Sequence, residues 1–333
     1  MNFFERFYSQ LDIQAPVVYV DVGAMGGVSA YWKQIDRYCH VIAFEPDERE
    51  FARLKSGAGI TYLPYALHRT SAPMTFYVSR DSGKSSVYRP NMALVQDFPD
   101  GGRYETVREM VFPKEKVRTL DEALAQTEIK SVDFIKLDTQ GSELDILKGA
   151  LHSLQGLFGI EVEVEFAPLY QGQPLFRDVD AFVDAHGFEL VDLRRAFWKR
   201  KNFVDYVGRG QLIFGDALYL RRTDIFLNMI APLTTQERSA KIAKAVMVCM
   251  VYRLPDHALD LLDQALAKGH VEGTQYQKWV MCVRREACSW GFAHLWGRSI
   301  FAKIFNRLSE KLRPDSYLGW SDGDRFIGNT RNI

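Results

Sequence analysis

Asp21-Val22-Gly23-Ala24-Met25-Gly26-Gly27 closes a short apolar run, Val17-Val18-Tyr19-Val20, near the start of a 333-residue chain. Glycines at a strand end let the backbone turn tightly and approach a ligand, and a following helix N-terminus offers unpaired N–H groups. A plain tight turn would use the same residues, so the string needs company to mean more. Glu45 supplies it, ending a second apolar run within Phe44-Glu45-Pro46-Asp47. A carboxylate there can accept both ribose hydroxyls of an adenosine, and its separation from Gly27 is near the ~20 residues expected of such a partner. An NAD site shares this geometry, but the glycines fall as GxxGG rather than GxGxxG. Asp21, ahead of them, sits badly beside a pyrophosphate and well beside the cationic amino group of a methionine moiety. Together these residues favour S-adenosylmethionine over NAD.

A second group lies in Phe134-Ile135-Lys136-Leu137-Asp138-Thr139-Gln140-Gly141-Ser142-Glu143. Asp138 falls at the carboxyl end of an apolar strand beside the topological switch point, where open α/β sheets place ligands. Lys136 shares its face by the period-two rule. A structural ion pair is the competing reading, since a charged pair in a central strand is costly unless compensated. A third group is Glu161, Glu163 and Glu165, alternating with Val162, Val164 and Phe166. Covered parallel strands are normally apolar on both faces, so at least the last of these carboxylates is expected to open into a cleft. Pairing with a lysine or arginine from a neighbouring helix is the alternative for Glu161.

These positions belong to a chain that alternates strand and helix over its first two-thirds, the pattern of a mostly parallel sheet under covering helices. Val28, Tyr31, Trp32 and Ile35 predict a helix after the first strand, and another is expected over about 47–55. Residues 60–67 read as a third strand, placed at the sheet edge because Pro64 cannot donate to a ladder. Residues 68–120 break the rhythm and read as a β-rich insertion, with strands over 74–79 and 109–118. Ser142 is expected to cap a helix whose apolar face is Leu144, Leu147 and Leu151. Residues 188–193 and 211–220 suggest a closing antiparallel pair, and from about residue 223 onward only helical spacing appears.

With these blocks in order, the chain resembles the FkbM-type methyltransferases. The resemblance rests on DVGAMGG, FEP, the Lys84-Ser85-Ser86 loop, the Arg118-Thr119-Leu120-Asp121 approach, DFIKLDTQGSELDILKGA and EVEFAPLYQGQPLF. It covers roughly 17–193, and the block around Asp138 is its most specific part. It implies an α/β, Rossmann-like class I methyltransferase domain with a seven-stranded, mostly parallel sheet of 3-2-1-4-5-7-6 type. The expected division is 1–222 for that domain, with the 68–120 insertion, and 223–333 for a helical C-terminal region. S-adenosylmethionine contacts are implied at Asp21, Gly23, Glu45 and Asp138. Ala24, Gly26, Gly27, Pro46, Ala66 and Leu67 complete the cofactor-binding candidates, the last two beside His68 where adenine contacts fall. The expected product is S-adenosylhomocysteine, and the implied acceptor is a hydroxyl of a sugar, glycan or small natural product.

Methyl transfer from a sulfonium is an in-line displacement, and a neutral hydroxyl acceptor must lose its proton to a nearby base. Asp138, Glu163, Glu165 and Lys136 are the catalytic candidates, with His68 a further base candidate. A divalent metal on Asp138 and a neighbouring carboxylate could instead lower the hydroxyl pKa, but no metal-ligand spacing stands out. A nucleotide-sugar or NAD enzyme would need a diphosphate turn and a Tyr-x-x-x-Lys pair, and neither can be placed. A non-catalytic scaffold would have no reason to keep Glu45 and Asp138.

The 42 basic and 42 acidic residues cancel, which argues against a broad nucleic-acid surface. Four cysteines without CxxC spacing fit neither a disulfide framework nor a zinc site, and suit a reducing cytoplasm. Trp290, Phe292, Leu295, Trp296, Ile300, Phe301, Ile304, Phe305, Leu308 and Leu312 form an apolar stripe broken by Arg298, Lys303, Arg307 and Lys311. Packing on its own domain is the expectation for this stripe, ahead of a partner or homo-oligomer interface and, last, membrane contact.

Overall fold

The computed structural model describes residues 2–11, 14–23, 29, 31–46, 51–54, 57, 59–204, 209–289, 297–312, 322–324 and 327. Its strands, in chain order, are β1 (Val17–Val22), β2 (Cys39–Phe44), β3 (Ile60–Leu63), β4 (Ala66–Leu67), β5 (Met74–Ser79) and β6 (Thr106–Phe112). They continue with β7 (Val117–Arg118), β8 (Phe134–Leu137), β9 (Gly159–Glu165), β10 (Phe188–Trp198), β11 (Gln211–Arg221) and β12 (Asp322–Gly323). Eight of them form one sheet in the order β12-β10-β11-β9-β8-β1-β2-β3. Its seven longer members, counted along the chain, run 3-2-1-4-5-7-6. The short β12 is an eighth strand that helical spacing in the tail did not foretell. β3, β2, β1, β8 and β9 are parallel, whereas β11 runs antiparallel to both β9 and β10.

One sheet face is apolar across its central strands. Val18, Val20, Val22, Ile135, Leu137, Ile160, Val162 and Val164 pack there in one cluster with Leu144, Leu147, Leu154 and Val183 of covering helices. The opposite face changes character along its length. Tyr19, Phe134, Leu218 and Leu220 lie under a second cluster that includes Phe7, Trp32, Val246, Tyr252, Leu262 and Trp279. Two residues further on, the same face carries charge, because Asp21, Lys136 and Glu161 stand side by side in register. Glu163 and Asp216 form the next cross-strand pair. Residues 245–251 end the helix Thr235–Val251 and, with the Tyr252 that caps it, are buried under the sheet.

Several local expectations change for identifiable reasons. Residues 60–67 are two strands rather than one, split at Pro64, with β3 at the sheet edge and β4 paired to β7. The insertion contains the antiparallel pair β5–β6, but β6 ends at Phe112 because Pro113 follows it. In place of one helix over the described part of 28–35, Trp32–Tyr38 forms short 3-10 turns that kink at Ile35, and both Trp32 and Ile35 are buried in the core. The helix expected over 47–55 falls mostly outside the described residues. Ser142 makes no side-chain cap. The helix it precedes stops at Lys148, and Leu151, in a separate short helix, is 50% exposed. Gly149 makes that break, where an added Cβ would lie 2.5 Å from the His68 carbonyl oxygen. Among the described residues, no helix is long and apolar enough to cross a membrane.

Candidate functional site

A cavity of about 430 Å³ opens at the carboxyl ends of β1, β2 and β8. That volume is in the range of small-molecule and cofactor sites. Gly23, Glu45, Pro46, Ala66, Leu67, Asp138 and Glu163 line it, so seven of the candidate residues meet in one place. Tyr65, Met74, Phe76, Phe112 and Ile146 add an apolar wall, and Ser82, Gly83 and Lys84 bring the insertion to its rim. Ala24, Gly26 and Gly27 lie outside the described residues.

Gly23 explains how the two central strands close on one another. Its φ is +85°, and an added Cβ would stand 2.0 Å from the Asp138 carbonyl oxygen, so no other residue fits. Glu45 follows β2 with its backbone N–H bonded to the Leu63 carbonyl at 3.1 Å, and it is nearly buried at the cavity wall. Asp21 does not line the cavity. It is buried behind it, and one of its carboxylate oxygens, Oδ1, has no hydrogen-bond partner among the described residues. Burial pushes its carboxyl up to about 6, partly countered by Lys136 and the nearby Tyr19 hydroxyl and reinforced by Asp138. A buried acceptor without a donor is costly, and a cationic ligand group would relieve it.

Asp138 and Glu163 have environments that drive them apart. Burial works against the Asp138 charge, yet Lys136, Lys84 and a Gln140 amide bond together hold its carboxyl below the ordinary aspartate range. Lys136 Nζ stands 3.5 Å from Asp138 Oδ2. Although burial disfavours the ammonium, Asp138, Asp21, Glu161 and Asp216 keep it more firmly protonated than usual. Glu163 goes the other way: burial first, then Asp138 and Glu165, raise its carboxyl far above the glutamate range. Such a divergence separates a base from an acid. Lys136 does not reach the cavity lining, so it acts on Asp138 from behind.

Gln140 joins the two carboxylates, a residue the sequence reading passed over. Its Nε2 donates to Glu163 Oε2 at 2.5 Å and to Asp138 Oδ1 at 3.3 Å. Its Oε1 accepts from Lys84 Nζ at 3.2 Å and from the Tyr170 hydroxyl at 3.1 Å. The Ser86 hydroxyl donates to its carbonyl oxygen at 2.7 Å. Gln140 holds φ at +59°, a left-handed conformation costing a non-glycine residue about 1–2 kcal/mol, and these bonds hold it there. The following Gly141 is also left-handed, at +106°. The readable signal was therefore a polar residue wedged between a strand end and a glycine. Glu143 ties the same turn by accepting the Thr139 N–H at 2.6 Å and the Gly141 N–H at 2.9 Å.

The remaining candidates sit elsewhere. Glu165, expected to open into the cleft, is buried and absent from the cavity wall, and Glu163 takes that place. Tyr104 of the insertion and Tyr170 pack together beside the strand end, which closes it over. Glu161 does not line the cavity and, among the described residues, makes no ion pair with a lysine or arginine. It accepts from the Tyr31 hydroxyl at 2.6 Å and from the Tyr252 hydroxyl at 2.6 Å. His68 turns away, with Nε2 3.5 Å from Asp145 Oδ2. Ser85 lines the cavity, but its Oγ is taken by the Ser79 N–H at 3.1 Å. Among the described residues, no three His, Cys, Asp or Glu side chains are grouped as a metal site.

A family model described as the methyltransferase FkbM domain matches residues 21–190, about half of the chain. The 2-O-methyltransferase NoeI of Sinorhizobium fredii is 26% identical over 191 residues, covering 56% of this chain and 77% of that protein. Among solved structures, a precorrin-6y C5,15-methyltransferase from Geobacter metallireducens aligns at 12% identity with a TM-score of 0.32. It covers 65% of this chain and 86% of its own. The M. capricolum TrmK complex with S-adenosyl-homocysteine aligns at 7% identity and a TM-score of 0.32, covering 86% and 97%.

Proposed function

Because this chain belongs to the FkbM methyltransferase family, we propose that it methylates a hydroxyl of a sugar, glycan or small natural product with S-adenosylmethionine as donor. When bound, that cofactor supplies an electrophilic sulfonium methyl for in-line displacement. Within this reading residues 1–222 are the cofactor-binding unit and 223–333 a helical appendage. Glu45 accepts hydrogen bonds from a ribose, with Pro46, Ala66 and Leu67 along the neighbouring wall. Gly23 brings backbone to the ligand, and Asp21, just behind the cavity and with Oδ1 unpartnered among the described residues, supplies the negative charge for a cationic amino group.

The observation that carries the catalytic part is that Asp138 and Glu163 line one cavity and share the Gln140 amide, with Lys136 beside Asp138 alone. Asp138, ionised, takes the proton of the acceptor hydroxyl as the oxygen–carbon bond forms. Lys136, 3.5 Å from Oδ2, keeps it ionised, and the Gln140 amide on Oδ1 fixes the orientation of the carboxylate. Glu163, neutral, adds no second negative charge beside the developing alkoxide. NoeI, by its name a 2-O-methyltransferase, supports oxygen as the acceptor atom.

Calorimetric titration of S-adenosylhomocysteine into the wild type and a Glu45→Ala variant tests the cofactor. Micromolar binding is expected, weakened at least tenfold (about 1.4 kcal/mol) in the variant. No binding to folded wild type overturns the proposal; binding that ignores Glu45 removes the assigned pose.

A further inference from the structure

Ile300, Phe301, Ile304, Phe305 and Leu308 of the helix Arg298–Leu312 are each between 50% and 65% exposed. Recurring at three- and four-residue intervals, they share one face, so the described part of the stripe does not pack on its own domain as the sequence suggested. An unbroken row of five large apolar side chains in water marks a contact surface. Beside it stand the exposed Lys303 and Arg307, one turn apart. The helix sequence as a whole has four basic residues against the single acid Glu310.

Two occupants within reach fit poorly. The described residues beyond the helix are engaged elsewhere: Asp322–Gly323 pair with β10, Asp324 binds Arg195 and Arg209, and Ile327 joins the buried cluster. A second copy meeting this face about a two-fold axis would set one basic helix against another. A surface that is negative and apolar just beneath fits both halves of the helix. We propose that this helix docks in the plane of an anionic lipid surface, its apolar row entering the acyl boundary and its lysine and arginine reaching the headgroups. At 15 residues it is short of the ~20 needed to span a bilayer, so it lies on the surface. This inference is independent of the methyl-transfer reading.

The test is sedimentation of the full chain with vesicles of phosphatidylcholine alone or with added phosphatidylglycerol. At least about tenfold more protein is expected on the anionic vesicles, declining as salt is raised. A Phe301→Ser/Phe305→Ser variant should lose that binding about tenfold with an unchanged melting temperature, since both side chains are exposed. Lys303→Glu/Arg307→Glu should abolish the preference for phosphatidylglycerol. No recovery with anionic vesicles overturns the proposal, as does recovery that neither variant alters. A concentration-dependent rise in mass that Phe301→Ser/Phe305→Ser removes also overturns it, assigning the face to a second copy.

Discussion

The same sheet face does two opposite jobs within one two-residue step. Tyr19 and Phe134 are fully buried under Trp32 and Tyr252, with Tyr19 stacked on Trp32 at 4.2 Å between ring centroids. Asp21 and Lys136, the next residues on that face, begin a charged layer that runs on to Glu161, Glu163 and Asp216. A step of this kind is only about 7 Å along a strand. Glu161 sits at the seam. The hydroxyls of Tyr31 and Tyr252 hold it from the aromatic side, and the Trp32 Nε1 in turn donates to the Tyr252 hydroxyl at 3.1 Å. Stability is therefore drawn from one half of the face and spent on pre-organised charge in the other, with tyrosines at the join.

That division makes substitutions on either side separable. Asp138→Asn should lower the rate of methyl transfer per folded molecule by about 10²–10⁴-fold, the usual worth of a positioned base, and should also lower the melting temperature because Lys136 loses its charged partner. A variant that stayed active would put the base elsewhere, Glu163 first. Across the seam, Trp32→Ala should cost about 3–5 kcal/mol of unfolding free energy, read from denaturant midpoints. Activity per folded molecule should persist. A large loss of activity in folded Trp32→Ala protein would show that the two halves are not separable and that the aromatic layer positions the charges.

How much of this was legible depended on whether a signal was local. The ends of β1, β2 and β8 were readable because glycine, carboxylate and alternation all act within a few residues, and Gly23, Glu45 and Asp138 do meet at one cavity. The Glu161–Glu163–Glu165 alternation was also local, but which carboxylate faces the cavity was not. That choice is made by Tyr104 and Tyr170, brought in from the insertion and from the loop after β9. Gln140 was missed for a similar reason: its role comes from Lys84 and Tyr170, 56 and 30 residues away. The helix after Ser142 was misjudged at its end because the constraint on Gly149 is a carbonyl from His68, far back in the chain. The exposed row at 300–308 showed apolar periodicity without revealing what faced it.

Asp21 offers the finest test of the contrast, because it is charged and buried just past the aromatic layer. Its carboxyl ordinarily titrates at 3.8 and is pushed up to about 6, chiefly by burial. A raised acid stabilises the folded state fully below the ordinary value, and that contribution fades as pH climbs through the window from 3.8 to about 6. Above the window the ionised, half-unpartnered side chain strains the fold by something on the order of 1–3 kcal/mol. Asp21→Asn removes the charge. Its unfolding free energy relative to wild type should thus rise with pH across that window and level off beyond it. The same variant should bind S-adenosylhomocysteine more weakly, since the anionic acceptor for its amino group becomes a neutral amide. Greater stability with weaker binding would mark Asp21 as strain kept for a ligand. A stability difference that does not vary with pH would mean that Asp21 is already satisfied in the ligand-free protein, and the charged layer would then start at Lys136 and Asp138.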